Sequence, residues 1–476
     1  MQKKFISNLI LIVVLNLLVK PIAIFGIDAT VQNQVGSEEY GTYFALLNFS
    51  FLFNILLDFG INNFTTKNIA QHPQIAPKYL GKILVFRIVL FLFYAVFSFS
   101  MALILGWGTR ELYLLSFLII NQFIVTLIAY TRSHFGGLLL FKTEAFIGVL
   151  DRLLLIVFCG TLLYTPIVDG PFKIEWFIWV QTFCYSITFI ISIILLIRRI
   201  GIPKLKFQPA FSYVIIRKSF PYALLILLMM IYTRVDSVMV ERININGKAE
   251  AGFYAQGFRL VNILFMFAML FSNLLFPIFS KMFKKKEDVV PLLSTASKLL
   301  IGGSIFIAII SFFNGEFILG LIYKNDVAIS APSFRLLMIS FIGMCSTIIF
   351  GTLLTARGDL RFLNSLSIIG IVINISINLY LIPEQGAKGA AFATVMTQSL
   401  ISAIQFIYCM KVLEIKFSWV TTGQFTLYIL LLITICYYIR AESILILIGI
   451  VGASFISMFV FKLIDYKSLS KVLKSS

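Results

Sequence analysis

Long apolar runs follow one another along most of the chain, and polar residues are confined to short gaps between them. Each run is about 20 residues or longer, enough for a helix to cross the hydrocarbon core of a bilayer. The pattern predicts about fourteen spans, at residues 8–32, 42–66, 82–107, 112–135, 145–166, 174–198, 218–241, 250–280, 296–316, 331–356, 361–382, 386–411, 418–439 and 443–464. The expected fold class is therefore an all-α polytopic membrane protein.

The polar gaps carry an orientation. With Met1 in the cytoplasm and strict alternation, most of the 39 Lys and Arg residues fall on the cytoplasmic side, and the acids gather at the opposite ends. Insertion retains Lys and Arg inside, so both termini are expected in the cytoplasm of a cell membrane. Lys3 and Lys4 before the first run resemble a signal peptide. That run is too long for a signal core and lacks a small-residue cleavage site, so it is expected to be a retained first helix.

Composition sharpens this reading. Hydrophobic residues make up 60% of the chain and charged residues 13%, far from soluble proportions. The net charge of +18 is scattered over short loops, which fits topology and attraction to anionic membrane lipids rather than nucleic acid. Cys159, Cys184, Cys345, Cys409 and Cys436 all fall inside predicted spans, where they serve as small packing residues. His72 and His134 are distant in sequence and have no ligand-like neighbours, so no metal site is expected.

The loops exclude other classes. No connection is much longer than about 20 residues, which leaves no room for an extended catalytic domain of the kind membrane enzymes use. Glu38 and Glu39 form the one outer acidic doublet, and solvation of a short turn accounts for them. No G-x-x-x-x-G-K-[ST] loop is present, so neither ATP hydrolysis nor a cofactor is expected. The expectation is a transporter, not an enzyme.

The longest cytoplasmic connection, Arg198 to Lys218, contains Pro203, Pro209 and the basic residues Arg198, Arg199, Lys204, Lys206, Arg217 and Lys218. It divides the chain into an N-lobe at 1–199, a linker at 200–217, a C-lobe at 218–412, and two last spans with a cytoplasmic tail at 413–476. The two halves repeat. Gly36-Ser-Glu-Glu39-Tyr-Gly41-Thr-Tyr43 and Gly247-Lys-Ala-Glu250-Ala-Gly252-Phe-Tyr254 both fit G-x-x-E-x-G-x-Y. A second echo pairs Gly137…Lys142-Thr-Glu144 with Gly351…Arg357-Gly-Asp359. Six spans separate the copies, so they share one membrane orientation, as in two lobes flanking a substrate path.

These motifs resemble a known family. Val35-Gly-Ser-Glu-Glu-Tyr-Gly-Thr-Tyr43 with Leu57-Asp58-Phe-Gly60 is similar to the start of Wzx-type flippases for lipid-linked oligosaccharides. Those proteins belong to the multidrug/oligosaccharidyl-lipid/polysaccharide exporter superfamily. The resemblance continues through Arg234-Val-Asp236, Gly252-Phe-Tyr254, Arg357-Gly-Asp359 and Gly386-Ala-Lys-Gly389-Ala-Ala391-Phe-Ala-Thr394. It implies twelve to fourteen helices in two lobes around a central cavity. It also implies an undecaprenyl-diphosphate-linked glycan as substrate, moved from inner to outer leaflet, and a polysaccharide polymerase as partner. Peptidoglycan-precursor flippases of the superfamily tend to carry Ser-Arg and Arg-Asp near the first helix. Lys20-Pro21 and Asp28 stand there instead, which argues against that branch.

The intramembrane charges supply the candidate site. Lys20 falls near the middle of the first span, while Arg234 and Arg259 lie about 10 Å and about 13 Å from the outer ends of theirs. Arg335 is about one turn inside, close enough to snorkel outward. Cations at such depth are costly against lipid, so they face a wet cavity or a partner, and Arg offers a planar fork to a diphosphate. The alternative is structural pairing with Asp28, Asp58 or Asp236. Arg234 and Asp236 point to opposite sides of one helix and need separate partners. Asp58 and Asp236 are the candidates for coupling to protons or sodium.

Other positions have structural readings. Gly36, Gly41, Gly247 and Gly252 suit tight outer turns, and Gly386, Gly389, Ala390 and Ala391 form a small face for close helix approach. Tyr43, Tyr254 and Trp107 fall where aromatic residues anchor the interface. The functional expectation is a lipid-linked-glycan flippase; the alternatives are a multidrug-type exporter coupled to protons or sodium and a membrane glycan-processing enzyme.

Overall fold

The computed structural model describes residues 19, 21–138, 140–165, 170–415 and 418–461. These residues are helices and connections, with no strand among them. The protein is all-α and polytopic. Eight described helices are long and apolar enough to cross a membrane. One of them, Leu360–Val412, holds two expected spans, merged across non-helical backbone at Gly386 (φ 50°). The spans expected at 218–241 and 250–280 fall in the helices Pro209–Ile243 and Gly247–Lys285.

The chain forms two compact units, Met1–Arg242 and Ile243–Ser476. In the first unit the helices are α1 (Ala29–Val35), α2 (Ser37–Leu52), α3 (Ile55–Asp58), α4 (Ile61–Gln71), α5 (Ala76–Ile104), α6 (Thr109–Gly137), α7 (Phe141–Tyr164), α8 (Ile174–Ile200) and α9 (Pro209–Ile243). A π-helical segment, Ile22–Asp28, leads into α1. Helix α6 is central, packing on α2, α4, α7 and α8. An apolar core of the unit joins Ile61, Leu80, Ile83, Phe86, Ile128, Phe135, Ile147 and Leu196, so five helices share one buried cluster.

The second unit comprises α10 (Gly247–Lys285), α11 (Val290–Phe313), α12 (Gly315–Gly320), α13 (Val327–Arg357), α14 (Leu360–Val412), α15 (Trp419–Tyr438) and α16 (Ile444–Val460). Here α13 is central, packed on α10, α11 and α14. Missing side chains permit that density. A Cβ at Gly257 would meet the Phe334 backbone at 2.9 Å, and one at Gly343 would meet Gln398 at 2.9 Å. The last two helices pack on α11 through Ile305, Ile310, Tyr428, Leu432, Cys436 and Ile450. Asn314 ties down their connection by accepting the Ala441 backbone N–H at 2.7 Å.

Several local expectations change. Gly36 alone of the repeated glycines has a positive φ, 84°, where it separates α1 from α2. Gly41 and Gly252 lie inside helices, and Gly247 opens one. The acids explain this: Glu38, Glu39 and Glu250 sit in first turns, where their charge complements the helix N-terminus. The repeated motif is therefore a helix start rather than a turn. The expected single span at 42–66 is broken, because Phe59 (φ 44°) and Gly60 (φ 76°) both take left-handed backbone.

The aromatic expectation is corrected as well. Tyr43, Tyr254 and Trp107 are 2%, 1% and 5% exposed, so they are buried in protein rather than anchored at an interface. The polar ends of Tyr43 and Trp107 have protein partners: Gln181 Nε2 donates to the Tyr43 hydroxyl at 2.9 Å, and Trp107 Nε1 donates to Glu241 Oε2 at 3.0 Å. A buried partner removes the reason for such a ring to seek the headgroup region. All five cysteines are buried and unpaired with one another, as packing residues should be.

Candidate functional site

Five of the six sequence-selected residues fall among those described; Lys20 lies outside them. In the first unit, Arg234 projects from α9 toward α2. Its Nη1 donates to Asn48 Oδ1 at 2.9 Å, and the guanidinium lies 5.0 Å from the Phe51 ring centre. Asp236 and its neighbour Ser237 are buried, 1% and 2% exposed, two positions further along the same helix. The polar path continues to the end of α9. Glu241 accepts from Trp107 and lies 3.8 Å from Arg242 Nε, while Arg242 also donates to the Leu105 carbonyl.

Asp58 has a different setting. It closes the short α3 just before the left-handed pair, and Arg87 Nη2 lies 2.6 Å from its Oδ1. The same guanidinium donates to Asn62 Oδ1 at 2.8 Å and to the Leu57 carbonyl at 3.1 Å, and it sits 4.7 Å from the Tyr130 ring centre. Arg87 thus takes up a carbonyl and two side chains exposed by the helix break, in a site where it is 1% exposed.

In the second unit, Arg259 on α10 is 7% exposed. Its Nη1 donates to the Tyr323 hydroxyl at 2.8 Å, and its guanidinium lies 5.7 Å from that ring's centre. Arg335 on α13 pairs with Glu316 at 3.0 Å. Their side chains are 34% and 59% exposed, so this is a half-exposed pair at a helix end. Arg259 is therefore the buried one of the three, while Arg234 and Arg335 are both partly exposed. The planar fork of a guanidinium also matches the paired oxygens of an anionic headgroup.

Sequence reasoning missed three arginines of the first unit. Arg87 is one. Arg152, on α7, lies 3.7 Å from Asp151 and within electrostatic reach of Asp28, Tyr43 and Tyr185. Arg110 opens α6 and joins Glu39 and Glu175, described below. The signal for the first two was present: an isolated Arg87 inside Lys-Ile-Leu-Val-Phe-Arg-Ile-Val-Leu, and an Asp151-Arg152 pair inside an apolar run. His134 is buried against the Tyr130 ring, 4.7 Å between centres, with its Nδ1 3.1 Å from the Tyr130 carbonyl oxygen.

The model of the polysaccharide biosynthesis protein family matches residues 5–283, more than half of the chain. The chain belongs to that family. The MatE family model also matches, over residues 221–380. No sequence among curated proteins matches the chain.

Solved structures agree on the fold. A lipid II flippase MurJ in an inward closed conformation shares 16% identity, covering 97% of this chain and 99% of that one, with a TM-score of 0.74. An inward-facing multidrug resistance MATE family transporter of the MOP superfamily shares 14% identity over 84% and 94%, with a TM-score of 0.64. A MOP superfamily transporter from Pyrococcus furiosus shares 11% identity over 86% and 94%, with a TM-score of 0.56. The family match places the chain among polysaccharide biosynthesis proteins, in keeping with the Wzx-type resemblance, and the solved structures share its membrane-spanning fold.

Proposed function

We propose that the protein is a flippase that moves an undecaprenyl-diphosphate-linked oligosaccharide from the inner to the outer leaflet by alternating access. The family match over residues 5–283 carries this reading, because it covers the unit that holds Arg234 and extends through Arg259. These two guanidiniums would meet the diphosphate, with Lys20 adding charge and Arg335 at the periphery. Arg suits that role because its fork binds phosphate oxygens in pairs, where an ammonium is a point charge. Such a protein works in the inner cell membrane with both termini in the cytoplasm, and hands its glycan to a polysaccharide polymerase. The proposed organisation is an N-lobe at 1–199, a linker at 200–217, a C-lobe at 218–412 and two peripheral helices.

Coupling to protons or sodium is proposed at Asp236, with Asp58 as the alternative. The burial of Asp236 supports it, since a carboxyl that must leave water responds strongly to protonation or a cation. A second reading, a multidrug-type exporter, draws on the MatE match over 221–380. The deciding experiment uses purified protein in vesicles, with labelled lipid-linked glycan on one leaflet and organic cations as competitors. Glycan movement that cations do not inhibit supports the flippase. Cation export without glycan movement replaces it.

A further inference from the structure

At the end of the first unit where α1 meets α2, a cavity of about 650 Å³ opens among residues of four segments. Its walls are aromatic, with Tyr113, Phe172, Trp176 and Trp179. Its polar part is a bridge: Arg110 donates to Glu39 from Nη1 and Nη2 at 2.8 and 2.6 Å, and to Glu175 from Nη2 and Nε at 2.9 and 3.1 Å. Lys173 completes the charged lining. Two cations and two carboxylates balance, so the cavity offers many hydrogen-bonding groups with little net field.

Arg110 is 52% exposed and Glu39 40%, and ion pairs at that exposure contribute little to stability. The repeated motif in the second unit makes the comparison. Glu250, the counterpart of Glu39, accepts the Ala387 backbone N–H at 2.7 Å directly. A Cβ at Gly386 would come within 2.2 Å of that carboxylate, so the contact is closed by packing. In the first unit the residue opening the corresponding helix is followed by Glu175, and Arg110 spans the gap between the two carboxylates. The same motif is sealed in one unit and held open in the other.

We propose that this cavity binds the sugar portion of the glycan, as neutral pyranose rings, on the outer face of the first unit. The inference rests on the flippase reading and on the orientation that places Glu39, Arg110 and Lys173 outside. The lining matches the ligand in three respects. Flat faces of Tyr113 and Trp179, 46% and 41% exposed, offer apolar area to the C–H face of a sugar ring. Planar carboxylates and a guanidinium match adjacent hydroxyls in pairs. The volume lies in the range of small-molecule sites. Balanced charge favours this ligand over a diphosphate, which needs excess cation. The cavity would hold the sugar after it crosses and so oppose its return.

The test uses intrinsic fluorescence, because two of the four tryptophans, Trp176 and Trp179, line the cavity. The probes are lipid-free oligosaccharides released by mild acid from the cell's own surface polysaccharide, and inorganic pyrophosphate as the anion control. The sugar should shift the emission of the detergent-purified protein saturably, and pyrophosphate should not. Trp179→Ala should weaken sugar binding at least tenfold. Trp179→Phe should retain most of it, and an unchanged melting temperature of Trp179→Ala excludes a folding defect. Arg110→Lys should also weaken binding. Absent sugar binding in a protein that still flips lipid-linked glycan overturns the cavity proposal alone. Sugar binding without flipping upholds the cavity and overturns the flippase reading.

Discussion

Arg87 holds Asp58 at 2.6 Å across a helix break, in a site where the guanidinium has 1% of its surface exposed. The break itself is made by the left-handed backbone of Phe59 and Gly60, and Arg87 also takes the freed Leu57 carbonyl. This geometry gives Asp58 a structural partner, while Asp236 is the more deeply buried of the two acids. Arg87 is buried and Asp58 only partly so, and removing Arg87 empties a buried site and takes the donor from Asp58, Asn62 and the Leu57 carbonyl at once. Arg87→Ala should therefore lower the melting temperature of the detergent-solubilised protein sharply, and Asp58→Asn less so, since an amide still accepts a hydrogen bond. Equal, near-native melting curves for both variants would remove the pair from the fold's support.

Arg234→Ala and Arg259→Ala should each reduce glycan transport at least tenfold in vesicles while leaving expression and melting near normal. Arg→Lys should restore part of the activity, because charge returns without the fork. Tyr323→Phe removes the hydroxyl that orients Arg259 and should cost less than losing the guanidinium. Full transport by both alanine variants would take these residues out of the mechanism.

Asp236→Asn should abolish the response of transport to an imposed proton or sodium gradient, with downhill flipping retained. Asp58→Asn should leave that response in place. If the wild type ignores both gradients, the glycan moves passively and is drawn outward by its consumption.

Labelling can test the orientation with little background, because the five native cysteines are buried. Cysteines placed at the exposed positions Glu38 and Glu384 should react with an impermeant reagent in intact cells. Cysteines at Lys78, Lys204 and Lys285, also exposed, should react only after permeabilisation. Reversal at any position would break the alternation of spans there.

The sequence by itself determined the class, because long apolar runs leave a helix as the one economical way to satisfy backbone groups in lipid. It also showed the repeated G-x-x-E-x-G-x-Y motif and flagged Arg234, Asp236 and Arg259 as charges out of place in apolar surroundings. Spacing along one helix could say that Arg234 and Asp236 do not pair. It could not say that Arg234 meets Asn48, 186 residues away, or that Arg259 meets Tyr323. Tertiary structure also decided that Tyr43 and Trp107 are buried, since hydropathy at a span's end looks alike for a ring facing headgroups and one facing Gln181 or Glu241. The divergence of the two motif copies was equally hidden. Glu39 and Glu250 read identically, and their difference lies in what the chain folds against them, Arg110 in one case and the backbone beside Gly386 in the other. Periodicity and charge act locally and are written in order along the chain; partners are chosen by packing between distant segments, which only the folded chain specifies.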